Sequence, residues 1–181
     1  MAIYAIATVP LLNKLKSTQP SDNPAKHVAY ADDAVGAGKM SHLRIWWDAI
    51  CEYGPHFGYF INAKNSWIII KPHMKVEAEQ AFLGTGINIT TDGQRHLGAS
   101  LGSKKYREEF VHGLVDKWVK QIRKLAKIAK IDPHSAYVAY THVLRRKYIY
   151  EMRTIPDAGS MFQPLENAIK NQLIPALTEQ I

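Results

Sequence analysis

Two adjacent carboxylates, Asp32 and Asp33, follow the run Val28-Ala29-Tyr30-Ala31 and precede Ala34-Val35-Gly36-Ala37-Gly38. Short apolar runs on both sides of an acidic pair read as two strands of a β-hairpin with the acids at its turn. Held there, the two acids can share a divalent cation. Hard oxygen ligands suit Mg2+, and paired carboxylates serve phosphoryl and nucleotidyl transfer, where metal ions stabilise both the attacking and the leaving oxygen. Asp-Asp is also a common turn dipeptide whose side chains bond their own backbone, so the pair has a purely structural reading as well. The flanks weigh against that reading, because two acids at such a turn repel each other unless a cation or a base sits nearby.

The second chemical feature is the distribution of charge. The 181 residues carry a net charge of +7, yet residues 101–150 hold twelve Lys or Arg against four acids, a net of +8, and the remainder sums to −1. A local excess of this size implies an anionic partner. Nucleic acid is the commonest one, with an anionic membrane surface or simple solubility as alternatives. Within this region Lys117, Lys120, Lys124 and Lys127 recur every three or four residues, as do Val111, Val115, Trp118, Ile122, Leu125 and Ala129. At about 100° per residue the two series fall on opposite faces of one helix, one for a core and one for solvent or phosphate. A merely soluble face would mix Glu with Lys along the stripe.

These groups need a frame. Residues 2–16 read as a buried helix interrupted by Pro10, followed by a polar loop and then the acidic hairpin. Ser41 is the predicted N-cap of a helix whose core face is Leu43, Trp46, Trp47 and Ile50, which Gly54-Pro55 stops and on which Cys51 packs. Ser66-Trp67-Ile68-Ile69-Ile70 reads as a buried strand and residues 73–83 as a short helix. Ile87-Asn88-Ile89-Thr90 alternates like a strand, Asp92-Gly93 is a hairpin turn signal, and His96-Leu97-Gly98 falls on the returning strand. From Lys104 the pattern changes to long helices, which predicts a domain boundary near Ser103. A second helix carries Tyr137, Val138, Tyr140 and Val143 and ends near Arg145-Arg146-Lys147. A third spans residues 162–177 with Phe162, Leu165, Ile169 and Leu173 inward.

Composition excludes several classes. A lone Cys51 forms no internal disulfide and fits a reducing compartment. The apolar run over residues 1–12 is too short to span a bilayer. Its basic residues, Lys14 and Lys16, follow the run, so it lacks the charge order of a signal peptide. An intracellular protein, nuclear or cytoplasmic and not in a membrane, is expected. The eight histidines show no zinc spacing, and no Gly-rich phosphate loop precedes a helix.

Taken in order, the motif Tyr30-Ala31-Asp32-Asp33, a helix, Tyr59-Phe60-Ile61-Asn62 before a Trp-Ile-Ile-Ile strand, and His96-Leu97-Gly98 resemble a reverse transcriptase. The likeness is greatest to the reverse transcriptases of retroelements lacking long terminal repeats, and Gly84-Thr85-Gly86-Ile87-Asn88-Ile89-Thr90-Thr91 extends it over nearly the whole chain. The resemblance implies an α+β fold, with a partial polymerase palm over residues 1–103 and an α-helical thumb over residues 104–181. It implies an RNA-directed DNA polymerase in which a primer 3′-hydroxyl attacks the α-phosphate of a deoxynucleotide while Asp32 and Asp33 help to hold two Mg2+ (or Mn2+) ions. Tyr30 would lie near the primer terminus, and His96, Leu97 and Gly98 would form the primer grip. Lys117, Lys120, Lys124 and Lys127 would meet the backbone of an RNA template and DNA primer.

Two departures shape the expectation. The family strand opens Asn-Pro-Ser-Lys-Thr, with its lysine as proton donor to the leaving pyrophosphate. Here Asn62-Ala63-Lys64-Asn65-Ser66 puts Asn65 at that position, and Lys64, the nearest candidate, is one residue away, on the opposite face if the segment is a strand. The family also draws another metal-binding aspartate from an upstream strand, and the 181 residues contain no counterpart. The expected protein is therefore a polymerase fragment, inactive alone unless a second chain supplies the rest of the palm. The alternative is a non-catalytic nucleic-acid-binding remnant that uses only its basic helical end. A metal-dependent nuclease or phosphatase would need further ligands near Asp32, and the spacing offers none.

Overall fold

The computed structural model describes residues 2–30 and 32–178; Ala31 of the acidic motif lies outside them. The fold is α+β and divides into two compact units, Met1–Thr91 and Asp92–Ile181. This division falls earlier than the Ser103 read from the sequence, because residues 93–102 pack with the helix that follows them.

The first unit opens with helix α1 (Ala2–Ser17), which carries Pro10 within it. Its burial is narrower than expected: Leu11 and Leu15 are buried, whereas Ile6 and Val9 are exposed. Strands β1 (Lys26–Tyr30) and β2 (Asp33–Ala37) form the antiparallel hairpin, with Val28 opposite Val35 and Tyr30 opposite Asp33. Helix α2 (Met40–Tyr53) begins before Ser41, and Lys39 holds the N-cap position without a side-chain bond, so Ser41 is not the cap. Consecutive residues on a helix point about 100° apart, and the adjacent tryptophans accordingly serve different cores. Trp46 packs with Leu11, Leu15 and Ile50, while Trp47 packs with Met40, Ile68, Ala78 and Phe82.

Strand β3 (Trp67–Ile69) buries only Ile68, a correction to the buried strand expected there. It pairs in parallel with β4 (Asn88–Thr90), and the crossover between them carries helix α3 (Lys75–Ala81). The Asn88 amide donates to the carbonyls of Lys64 at 2.7 Å and Ser66 at 3.1 Å, which fixes this register. Arg44 ties the crossover to α2. Its Nε lies 2.9 Å from both Asp48 oxygens, and its Nη1 donates to the Ala81 carbonyl at 2.6 Å, satisfying an acceptor at the C-terminal end of α3.

In the second unit β5 (Gly93–His96) and β6 (Ala99–Gly102) form a hairpin. Asp92-Gly93 is thus not its turn. Leu97 and Gly98 connect the strands, with φ of +48° and +91°, the pair of left-handed residues that a two-residue hairpin turn matching strand twist requires. Helix α4 (Lys104–Ala129) follows, capped by Ser103, whose Oγ accepts from the Tyr106 amide at 3.1 Å. Its apolar face behaves as the spacing predicts: Val111, Val115, Trp118, Ile122 and Ala129 are buried and Leu125 is half-buried. Trp118 stacks on Phe162 and meets Tyr148 edge-on, both with centroids 6.2 Å away.

The second helix differs from its sequence reading. It runs through α5 (Pro133–Ala139), a π turn (Tyr140–Leu144) and α6 (Arg145–Thr154), past the basic run at which the sequence predicts its end. Tyr137, Val138 and Val143 are exposed, and Ala136, Leu144 and Tyr148 point inward instead. A π turn takes one more residue than an α turn and so shifts which residues face the core. The Thr141 hydroxyl, back-bonded to the Tyr137 carbonyl at 2.9 Å, offers the helix a local alternative at the same place. The final segment, α7 (Gln163–Ala168), a second π turn (Ile169–Leu173) and α8 (Ile174–Thr178), turns Leu165 and Leu173 inward as predicted. No helix among the described residues is long and apolar enough to cross a membrane.

Candidate active site and nucleic-acid interface

The hairpin ladder places the two acids differently. Tyr30 pairs with Asp33, so Asp32 stands in the turn while Asp33 opens β2, and both are exposed. Alternation along a strand puts Tyr30 and Asp33 side by side on the outward face with Val28 and Val35. The inward face sets His27 against Trp46, ring centroids 6.4 Å apart. The Tyr59 hydroxyl donates to the Asp32 carbonyl at 2.8 Å and so fixes the turn from outside the hairpin. Tyr59 reaches that position through a tight loop in which its amide donates to the Gly54 carbonyl at 2.9 Å. A Cβ at Gly54 would stand 2.6 Å from the Tyr59 carbonyl, so the close approach requires glycine there.

The donor set bears on Mg2+. That ion is commonly held by one or two carboxylates together with substrate phosphates and water, and both Asp32 in the turn and Asp33 at the start of β2 are exposed. They do not complete a cage. Among the described residues no three His, Cys, Asp or Glu side chains converge.

Lys64 falls in a 3-10 turn, Ala63–Asn65, and is exposed. The face-alternation of a strand therefore does not apply to it, a correction to the sequence reading. Cys51 is exposed on α2, and partial burial of its sulfur together with the nearby Asp48 pushes the thiol above its ordinary pKa. That shift lowers the thiolate fraction at neutral pH.

His96, Leu97 and Gly98 lie in the second unit, at the tip of its hairpin, with His96 closing β5 and Leu97-Gly98 forming the turn. The Tyr150 hydroxyl donates to the Leu97 carbonyl. Its ring lies against Gly98, where a Cβ would come within 3.1 Å of the ring edge. Beside Tyr150, Glu151 is buried with its Oε2 unpartnered, and burial pushes its pKa up against the opposing pull of Arg95. Arg95 pairs across the hairpin with the buried Ser100, whose hydroxyl is also unpartnered. No local pattern in the sequence marks Tyr150 or Glu151, since each meets the hairpin across more than fifty residues of chain.

Lys117, Lys120, Lys124 and Lys127 are all exposed, opposite the buried face of α4. Lys104 and Lys105, at the start of the same helix, pair with Glu108 at 3.7 Å and Glu109 at 3.9 Å. Among the described residues the four stripe lysines make no such pair. They span about 15 Å of helix, and a nucleic-acid strand offers a phosphate about every 3.4 Å of axis, so the stripe can meet about four in succession.

No family model, curated protein or solved structure matches the chain.

Proposed function

We propose that the chain is part of an RNA-directed DNA polymerase, with the acidic hairpin as part of its palm and the second unit's helices as its thumb. The observation that carries this reading is the pairing of Tyr30 with Asp33, which leaves Asp32 on the turn and both carboxylates exposed to an incoming phosphate. Asp32 and Asp33 would hold Mg2+ jointly with substrate phosphates, and the ion's charge would favour displacement at the α-phosphate. Tyr30, beside Asp33 on the same face, offers an aromatic surface for a primer end. The hairpin tip at His96, Leu97 and Gly98 would press on the primer, and the stripe of α4 would hold template-primer phosphates without regard to sequence. The setting would be intracellular, and Lys64 would act as proton donor only if substrate brings its flexible side chain to the leaving group.

Two carboxylates leave the site short of ligands, so no primer extension is expected from these 181 residues alone. The deciding experiment measures retention of a labelled RNA–DNA primer-template with Mg2+ and either the complementary or a mismatched deoxynucleotide. The polymerase reading expects the complementary nucleotide to slow dissociation, and Asp32→Asn to abolish that effect. A second reading, a non-catalytic binding remnant, draws on the absence of a third converging ligand among the described residues. It stands instead if nucleotide identity and Asp32 both make no difference.

A further inference from the structure

Among the described residues β1 and β2 have no strand neighbour but each other. Its inward face packs on Trp46 of α2, while its outward face exposes Val28 at 69% and Tyr30 at 62%. With Tyr30 opposite Asp33 across a two-residue connection, Lys26, Val28 and Tyr30 spend their backbone bonds on β2. The amides and carbonyls of His27 and Ala29 then point away from β2, along a free edge.

We propose that this edge binds a second copy of the chain, β1 pairing antiparallel with β1 of the partner to make one four-stranded sheet. Only one register uses all four outward groups on each copy, namely the one that sets His27 opposite the partner's Ala29. That register is centred on Val28, which meets its own symmetry mate. It brings Lys26 of each copy opposite Tyr30 of the other, on the same face and in the closer, non-hydrogen-bonded kind of pair, where an ammonium can lie over an aromatic ring. Because Val28 already faces Val35 within the hairpin, the dimer gains an unbroken row of four valines across the sheet. The edge of β2 fits less well. It contains Gly36, which weakens a strand, and the corresponding twofold register opposes Asp33 with Ala37, which offers no partner for the charge. A twofold contact of this kind is isologous and closes at two copies.

The test is a register-specific crosslink. With Cys51→Ser as background, to remove the one native thiol, Val28→Cys places two thiols directly across the twofold axis within disulfide reach. Val35→Cys lies on the same exposed face but three strand spacings, about 14 Å, from its mate. On mild oxidation Val28→Cys is expected to form covalent dimer at least about tenfold faster than Val35→Cys, and sedimentation of the unmodified chain should show a reversible dimer. Ala29→Pro, which removes only an outward amide, should abolish that dimer, and Ala34→Pro on the opposite edge should spare it. A chain that remains monomeric at every concentration overturns the proposal, as do equal crosslinking rates for the two cysteine variants.

Discussion

Replacing Lys117, Lys120, Lys124 and Lys127 together with Gln removes four positive charges from one exposed face while keeping residues of similar helix propensity. Each lysine engaged with a duplex phosphate contributes about 0.9 to the slope of log affinity against log salt, so the four together contribute about 3.6. Between about 50 and 200 mM salt the parent chain should lose about 150-fold more affinity for an RNA–DNA duplex than the variant does, or about 3 kcal/mol. Fluorescence anisotropy across that range measures the slope, with circular dichroism to verify that α4 persists. Lys104→Gln with Lys105→Gln is the internal control, because those two lysines already face Glu108 and Glu109 and should change the slope little. A slope change below one for the fourfold variant, or equal changes in the two variants, would refute a phosphate-binding role for the stripe.

Glu151→Gln should raise stability at neutral pH by on the order of 1 kcal/mol, because a buried carboxylate with an unpartnered oxygen is costly when charged. The folded-state pKa is raised, so the parent is at its best below the ordinary value of 4.5 and loses stability as pH climbs through the folded value. Urea midpoints of parent and variant should therefore converge in acid and separate on the alkaline side; the opposite trend would disprove the assignment. Leu97→Asn should stabilise the second unit by about 1 kcal/mol, since Asn tolerates the left-handed backbone that Leu97 adopts. If the tip touches a primer, the same change should weaken duplex binding, so a variant that gains stability and keeps its full affinity would argue against a grip. Trp118→Ala should cost about 3–5 kcal/mol by opening a void against Tyr148 and Phe162, and a loss below about 1 kcal/mol in chemical denaturation would contradict the packing described.

The basic helix was the most legible part of the sequence, because a long amphipathic period needs only local information and α4 buries the side its apolar spacing indicates. The acidic hairpin was legible for the same reason, its turn and flanks lying within a dozen residues. What could not be read depended on distant partners. Ile87-Asn88-Ile89-Thr90 looks like half of a hairpin until the Asn88 amide is seen to bridge the carbonyls of Lys64 and Ser66, which commits it to a parallel pairing. The turn at Leu97-Gly98 escaped because leucine is a poor left-handed residue, and it is held there by Tyr150 from α6. The inward face of α5 and α6 escaped because a π turn breaks the period that sequence reading assumes.

The second hairpin is fastened at both ends. At its base Gly93 and Gly102 face each other, and a Cβ on Gly93 would run into the Tyr106 ring of α4. At its tip the Leu97 carbonyl and Gly98 are held by Tyr150 of α6. A strut anchored to two helices cannot stay still when one slides past the other, because its short span leaves little slack. Any force that shifts α6 along α4, such as a nucleic acid drawn against the lysine stripe, would be delivered mechanically to Leu97, the residue already carrying backbone strain. The hairpin thereby links the positions of α4 and α6 to the backbone at Leu97.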